Sequence, residues 1–216
     1  MCGRFTLHLS KNKLLETLAS DMPEGFEYEP DYNISPGREI LTLREEILTP
    51  MHWGLRTPQN FHVNARLETA DSTPRFRESW EEKRCLIPAN GFYEWLNDGV
   101  RKQPHYIAPA DESVLYFAGL WFPSEKDAFA AHCVILTTEA QESLQAIHHR
   151  MPVCIPAAAH RDWLNNKTNK AEAIQFTNET SLTAHGVSSR VNGSLHHDSS
   201  LIRPTTPQGD DQMQFF

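Results

Sequence analysis

The 216-residue sequence contains no stretch of about 18 apolar residues, the length that a helix needs to cross a bilayer. Its first residues also lack the apolar core of a secretion signal, because Lys11, Asn12 and Lys13 interrupt them. These absences argue against a helical membrane protein. They favour a cytoplasmic location, associated with the nucleoid if the source is bacterial, and no membrane partner.

Cysteine is scarce, and no two cysteines have the spacing of a redox or zinc motif. The four cysteines are scattered along the chain at Cys2, Cys85, Cys133 and Cys154. In a chain that we expect in the cytoplasm, this pattern predicts reduced thiols rather than disulfides.

The common cofactor and metal motifs are missing as well. The sequence has no phosphate-loop, dinucleotide-binding, HExxH or GxSxG motif. The pairs His148-His149 and His196-His197 are adjacent in sequence, so their side chains point apart and do not suit a zinc site. We therefore expect neither a metal nor a cofactor.

Positive charge is in short supply. Lysine and arginine number 20 against 28 acidic residues, which gives a formal net charge of −8 and an isoelectric point near 5.7. This balance argues against a general electrostatic grip on nucleic acid. Binding to DNA would require arginines to gather on one face while the acidic residues lie elsewhere.

The composition is that of a globular protein, with 39% hydrophobic and 22% charged residues. No linker or shift in composition divides the chain, so we expect one domain over residues 2–204. The polar and acidic segment 205–216 is predicted to be disordered.

Short apolar runs separated by turn signals predict mostly antiparallel strands with a few helices. We predict a hairpin at residues 40–53, with an exposed Trp53 where the chain leaves the sheet. A second hairpin is predicted at residues 84–96, because Asn90-Gly91 is a strong turn signal. Helices are predicted at residues 10–19 and 76–83, and after Thr138 as an N-cap, ending near His148.

The residue with the most distinctive chemistry is Cys2. Small second residues permit removal of the initiator methionine, which would leave Cys2 with a free α-amine beside its thiol. Their ordinary pKa values, about 7.7–8.0 and about 8.5, leave both groups partly deprotonated near neutrality. Such a 1,2-aminothiol traps aldehydes as a thiazolidine, or acts as an N-terminal nucleophile. The ordinary alternative is a small buried hydrophobe.

Several other residues are candidates for chemistry. Glu94 lies between Tyr93 and Trp95, where a carboxylate could have a raised pKa and transfer protons, unless strand alternation leaves it exposed. His148 could act in acid–base catalysis or only pair with a helix C-terminus. Asn64 and Arg66 project to one side of a strand, which also suits an ordinary polar face.

The motifs taken together are more specific than any of them alone. They occur in this order: MCGRF at 1–5, YNISPG at 32–37, WG at 53–54, VNARLET at 63–69, CLIP at 85–88, GFYEW at 91–95, IHHRMP at 147–152, and VS and VN at 187–188 and 191–192. This arrangement resembles the SOS response-associated peptidase family, and the resemblance extends from residue 2 to about residue 204.

The resemblance implies a single α+β domain of coiled, mostly antiparallel sheets around a barrel-like core, with flanking helices. It implies covalent capture of abasic sites in single-stranded DNA, including sites near single-strand/double-strand junctions. The crosslink would be a thiazolidine on the processed Cys2, a lyase-like chemistry, with peptidase activity limited to N-terminal processing.

The resemblance also assigns roles to individual residues. Cys2 would form the thiazolidine, Asn64 would position the cysteine and the sugar, Glu94 would assist proton transfer, and His148 would open the sugar and reverse the crosslink. The DNA contacts implied are phosphate contacts by Arg4, Arg66 and Arg150, and base contacts in the loops of Pro36 and Trp53.

Two departures from the family pattern concern the DNA path more than the chemistry. His149 replaces the aspartate that often follows the motif histidine, and the loop after Trp53 lacks a second tryptophan. Three other functions stay open at this point. They are an N-terminal-nucleophile amidohydrolase, an autoproteolytic cysteine peptidase, and a DNA-binding module without catalysis.

Overall fold

The computed structural model describes residues 2–18, 20–124 and 131–205. The strands are β1 (Phe5–Leu7), β2 (Asp31–Ile34), β3 (Glu39–Arg44), β4 (Ile47–Trp53), β5 (Leu55–Arg56), β6 (Phe61–His62), β7 (Asn64–Arg66), β8 (Arg84–Ala89), β9 (Gly91–Asn97), β10 (Lys102–Pro109), β11 (Leu115–Pro123), β12 (Ala131–Glu139), β13 (Arg150–Pro152) and β14 (Leu182–Gly186). The α-helices are α1 (Lys11–Leu18), α2 (Pro74–Glu82), α3 (Glu142–Gln145), α4 (His160–Leu164) and α5 (Lys170–Glu179). Short 3-10 helices cover Leu67–Thr69, Ala157–Ala159, Ser189–Asn192 and Ser199–Ile202.

A closed barrel of five strands forms the core of this α+β fold, as the resemblance implied. Its strand order is β11-β8-β3-β4-β12, and β12 pairs again with β11 to close the ring. Only the β4–β12 pairing within the ring is parallel. Helices α2 and α4 pack on the outside of β8 and β11, so these strands are buried on both faces and consist of nearly continuous apolar residues.

The predicted hairpin at residues 40–53 is confirmed as β3 and β4. Glu45 and Glu46 form its two-residue turn, with φ angles of 53° and 64°. Two consecutive positive φ angles match the twist of the flanking strands, which is why such turns connect hairpins.

The second predicted hairpin is wrong. β8 belongs to the barrel, whereas β9 belongs to a separate sheet of order β14-β10-β9-β1-β2. Neither Asn90 nor Gly91 has a positive φ, so the chain does not turn back on itself there. Asn90 instead binds β1, donating from its backbone to Thr6 O at 2.8 Å and accepting from His8 N at 2.7 Å. Gly91 is required by close packing, because a Cβ would lie 2.5 Å from the Tyr106 hydroxyl.

Two of the three predicted helices are confirmed and one is wrong. The helices at residues 10–19 and 76–83 are confirmed as α1 and α2 within one or two residues of the predicted ends, although Ala19 lies outside the described residues. The helix capped by Thr138 is wrong, because Thr138 lies in β12 and only Glu142–Gln145 is helical. The hydroxyl of Thr138 donates to Glu68 Oε1 at 3.1 Å instead.

The last segment of the domain closes over the second sheet. Thr205 N donates to Gly186 O at 2.9 Å, while the rest of the segment predicted to be disordered lies outside the described residues. Among the described residues, no helix is long and apolar enough to cross a membrane.

Candidate functional site

The site begins at Cys2, just before β1. β1 lies between β2 and β9, and Tyr93 N donates to Arg4 O at 3.0 Å, so the start of the chain is held in the second sheet. The Cys2 side chain is fully buried. This position brings the first residues against the barrel, where Cys2 packs in the main hydrophobic core.

Asn64 holds the backbone of Cys2. Its Nδ2 donates to Cys2 O at 3.0 Å. Asn64 is the first residue of β7, which pairs in parallel with β12 opposite Ile135. The Oδ1 atom of Asn64 is buried and accepts no hydrogen bond from the described part of the chain. Such a buried acceptor is suited to a ligand with a hydroxyl or amine donor.

Glu94 is buried in the structure, contrary to the exposed alternative that strand alternation offered. Phe92, two residues earlier on the same face of β9, packs in the barrel core, and Tyr93 on the opposite face packs in a smaller cluster. Both faces of β9 are therefore covered. Burial raises the pKa of Glu94 from 4.5 to about 7, which suits a group that exchanges protons near neutrality.

His148 lies beside Glu94, in the turn between α3 and β13. Its Nδ1 is 3.9 Å from Glu94 Oε2. The same Nδ1 accepts a hydrogen bond from Arg150 N at 3.0 Å and lies 3.0 Å from Arg150 O. Its ring stacks on His149, with centroids 4.5 Å apart. Burial lowers the pKa of His148, so the imidazole is neutral at pH 7.

The thiol of Cys2 is protonated in this environment. Burial raises the pKa of Cys2 well above its ordinary value, and the negative charge of Glu94 raises it further. A buried thiol of this kind is a poor nucleophile until a neighbouring group accepts its proton, and Glu94 is close enough to influence it by its charge.

The three arginines of the predicted DNA contacts have different surroundings. Arg4 is half-buried and donates from Nη1 to Asn33 Oδ1 at 2.7 Å and to the carbonyl of Val191 at 3.0 Å. Arg150 forms a two-pronged ion pair with Glu68 at 2.8 and 2.9 Å. Arg66 is exposed, and within the described residues its side chain has no hydrogen-bond or ion-pair partner.

The two predicted base contacts differ in accessibility. Pro36 is half-buried in a turn whose next residue, Gly37, donates from N to Trp53 O at 2.7 Å. The expectation of an exposed Trp53 is wrong, because its side chain is fully buried and its Nε1 donates to Val63 O at 3.0 Å. Its ring packs 5.1 Å from that of Phe5, so Trp53 is part of the core.

Sequence reasoning assigned no role at the site to Trp95, Asn97 or Lys102. An open depression of about 500 Å³ is lined by Glu94, His148, Trp95, Asn97 and Lys102. Lys102 faces Asn97 across the β9–β10 pairing. A strand predicted to begin at residue 102 would have placed Lys102 beside β9.

Comparisons with known proteins give a consistent result. A sequence profile described as SOS response associated peptidase (SRAP) matches residues 1–194. The abasic site processing protein YoqW of Bacillus subtilis is 35% identical, with 94% of this chain and 99% of that protein aligned. The abasic site processing protein YedK of Escherichia coli is 30% identical, with 94% and 100% aligned.

Two further proteins are similar at lower sequence identity. The abasic site processing protein HMCES of Xenopus tropicalis is 28% identical, over 79% of this chain and 64% of its own. A crystal structure of a Bacteroides thetaiotaomicron protein superposes with a TM-score of 0.81 at 21% identity, covering 95% of this chain and all of that one. At this identity, the structural similarity describes the fold alone.

Proposed function

Because this chain belongs to the SOS response associated peptidase (SRAP) family, we propose that it captures abasic sites in single-stranded DNA through its processed N-terminal cysteine. The names of its relatives, abasic site processing proteins from bacteria to vertebrates, support the substrate. The observation that carries the proposal is the hydrogen bond from Asn64 to the Cys2 carbonyl, with Glu94 and His148 beside it.

The proposed reaction begins after hydrolysis of the Met1–Cys2 peptide bond. The free amine of Cys2 adds to the aldehyde of the ring-opened sugar, and the resulting carbinolamine loses one water to give an imine. The thiol then adds to the imine carbon, its proton passing to the imine nitrogen. The product is a five-membered thiazolidine, and the net reaction releases one water without any oxidant or reductant.

Glu94 suits the proton transfers of this sequence. With a pKa of about 7, its carboxylate accepts a proton from the Cys2 ammonium, and its acid form protonates the departing hydroxyl of the carbinolamine. His148 is neutral at pH 7 and only half-buried, so it can exchange a proton with a sugar in the open depression. That exchange would favour the aldehyde over the closed hemiacetal.

The DNA strand would be held by cations at the rim of this site. Arg66 follows Asn64 by two residues and is exposed, and Lys102 lines the same depression as Glu94. Contacts of this kind are independent of sequence and weaken as salt rises. Trp95, partly exposed in the same depression, offers a flat apolar surface for a sugar or base.

The proposal is tested with protein whose Met1 has been removed, verified by intact mass. Incubation with a single-stranded oligonucleotide carrying one abasic site should give an adduct that survives heating in denaturant. Cys2→Ala should give none, whereas Cys133→Ala, which removes an equally buried thiol from the barrel, should retain it.

Adduct from Cys2→Ala equal to that of the wild-type protein would refute the mechanism. Hydrolysis of glutamine without DNA, lost in Cys2→Ala, would favour the N-terminal-nucleophile amidohydrolase instead. Binding to the oligonucleotide that is lost on denaturation would indicate a module without covalent chemistry.

A further inference from the structure

A single buried amide, that of Asn33 in β2, holds the segment 191–196. Asn33 is 1% exposed. Its Nδ2 donates to the carbonyls of Gly193 at 3.0 Å and His196 at 2.8 Å, and the carbonyl of Val191 lies 3.4 Å away. Three carbonyls of one irregular segment therefore depend on this side chain, because buried polar groups need a partner.

Asn33 also holds Arg4. The pairing of β1 with β2 places Phe5 opposite Ile34, which brings Arg4 within reach of Asn33. Arg4 Nη1 donates to Asn33 Oδ1 at 2.7 Å and to the carbonyl of Val191 at 3.0 Å. The three groups form a closed triangle, since Asn33 Nδ2 contacts the same carbonyl. One nitrogen of Arg4 is thus fixed by two acceptors, one supplied by Asn33 and the other held by it.

The guanidinium of Arg4 has further donors that this triangle does not use. In the described part of the chain, Nε and Nη2 of Arg4 have no hydrogen-bond partner, and Arg4 forms no ion pair. A guanidinium presents its N–H groups in a rigid plane, so fixing Nη1 also sets the direction of the other donors. Arg4 is therefore already oriented for an anion.

The segment 191–196 borders the proposed site. Trp95, which lines the depression with Glu94, donates from Nε1 to Asn192 Oδ1 at 2.8 Å. Arg4 is two residues from Cys2, whose Sγ lies 3.9 Å from Arg4 O. A nucleotide within a strand carries a phosphate on each side, so capture at Cys2 brings a phosphate close to Arg4.

We propose that Asn33 is a positioning residue that orients Arg4 toward a phosphate of the captured nucleotide. This inference rests on the proposed function, which supplies the DNA. The ordinary alternative is that Asn33 only stabilises the segment 191–196. The two roles differ in a measurable way, because an oriented Arg4 acts on the salt-dependent part of DNA affinity, whereas a structural role acts on stability alone.

The test measures binding and crosslinking separately in the processed full-length protein. Affinity is measured by anisotropy at several salt concentrations, with a labelled single strand carrying a tetrahydrofuran abasic analogue, which has no aldehyde and cannot crosslink. The rate of crosslinking is measured at saturating abasic DNA. The variants are Arg4→Ala, Arg4→Lys, Asn33→Ala and the double variant of Arg4→Ala with Asn33→Ala. Thr177→Ala, which removes a buried hydroxyl of α5 that accepts from Cys154 N, is the matched control.

Arg4→Ala should weaken binding about tenfold and lower the slope of log affinity against log salt by about 0.7, the value for one phosphate on a single strand. Asn33→Ala should give a loss of about fivefold with a similar change of slope. Its crosslinking rate at saturating DNA should stay within about twofold of the wild type, because the hydrogen bond from Asn64 to Cys2 does not involve it. The double variant should bind within about twofold of Arg4→Ala, since both side chains act through one contact. Thr177→Ala should melt at a lower temperature but bind as the wild type does.

Arg4→Lys leaves Asn33 in place and tests the geometry without a buried cavity. Lysine keeps the charge but has a single nitrogen, which cannot both occupy the triangle with Asn33 and Val191 and reach the phosphate that the arginine fork reaches. We therefore expect Arg4→Lys to bind within about threefold of Arg4→Ala, with a similarly reduced slope. If Asn33→Ala does not fold, this variant decides the question.

Three results would overturn the proposal. One is wild-type affinity and slope in folded Asn33→Ala. Another is a double variant whose loss equals the product of the two single losses, because Asn33 and Arg4 would then act independently. The third is an Arg4→Lys protein that binds as the wild type does. A wild-type protein that binds the analogue but forms no adduct would instead refute the capture chemistry of the proposed function, and the binding measurements would still decide the role of Asn33.

Discussion

The barrel and the N-terminal site both bury cysteines, yet they surround them differently. Cys85 and Cys133 lie inside the barrel, fully buried, and burial raises the pKa of each thiol. Cys2 is equally buried, and its pKa is also raised. Burial alone therefore protonates a thiol in both regions and cannot mark a nucleophile.

The difference lies in the polar groups around each thiol. Besides burial, the Cys85 thiol is influenced by the Cys133 thiol and by the positive charge of Arg44, and no carboxylate is among these influences. The neighbours of Cys2 include the amide of Asn64 and the carboxyl of Glu94. The barrel is thus a rigid framework, whereas the buried polar groups at the site lower the stability of the protein but can transfer protons.

The largest effect that would sharpen this comparison is expected in the barrel. Ile87 is fully buried, so Ile87→Ala should lower the free energy of unfolding by about 2–5 kcal/mol, through lost burial and the cavity left behind. Chemical denaturation measures this change. Well below the melting temperature, the rate of crosslinking at saturating DNA should equal that of the wild type. A large loss of rate in the folded variant would mean that barrel and site are not separable.

At the site we expect a loss of rate together with a gain in stability. Glu94→Gln should slow crosslinking by about 100-fold, because amides do not exchange protons. It should also stabilise the protein at alkaline pH. The folded-state pKa of about 7 lies above the ordinary value of 4.5, so the stability of the wild type falls as pH rises through this interval. The stability of Glu94→Gln does not fall in this way, because its amide does not ionise.

Chemical denaturation at two pH values tests the sign of this difference in stability between Glu94→Gln and the wild type. At pH 8 the free energy of unfolding of Glu94→Gln should exceed that of the wild type by about 3 kcal/mol, and at pH 4 the two should be nearly equal. Glu39→Gln, at an exposed glutamate of β3, provides the matched control and should show neither effect. A Glu94→Gln protein less stable than the wild type at pH 8 would contradict the assignment of a raised pKa.

The smallest expected effect concerns the exposed rim. Arg66→Ala should weaken binding to single-stranded DNA about fivefold and reduce the slope of log affinity against log salt by about 0.7, the value for one phosphate on a single strand. Anisotropy titrations at several salt concentrations measure both. Arg161→Ala, on α4 outside the barrel, should have no effect. Equal losses in the two variants would indicate non-specific attraction rather than a site.

Local patterns predicted the elements that depend on neighbours in sequence. The turn at Glu45-Glu46 and the apolar spacing of α1 and α2 suffice to specify those elements. The Asn90-Gly91 signal failed for a physical reason: β1 competes with β8 for the edge of β9, and a contact made by residues 5 and 6 cannot be inferred from residues 84–96.

The candidate site shows the same division. The ordered motifs identified Cys2, Asn64, Glu94 and His148 as a group, and the fold brings them to one corner, while their roles stay predictions. Burial of Glu94 could not be predicted, because it depends on two clusters covering both faces of β9. Burial of Trp53 could not be predicted either. Its position at the end of a strand suggested exposure, but in the closed barrel its side chain is buried.

By itself, the sequence determined the order of the strands along the chain, the chemistry available at Cys2 and the membership of a family. Only the tertiary structure decided which charged groups are already committed, as Arg150 is to Glu68 and Arg4 to Asn33. The reason is that local patterns depend on a few successive residues, whereas burial and ion pairing depend on residues brought together from distant parts of the chain.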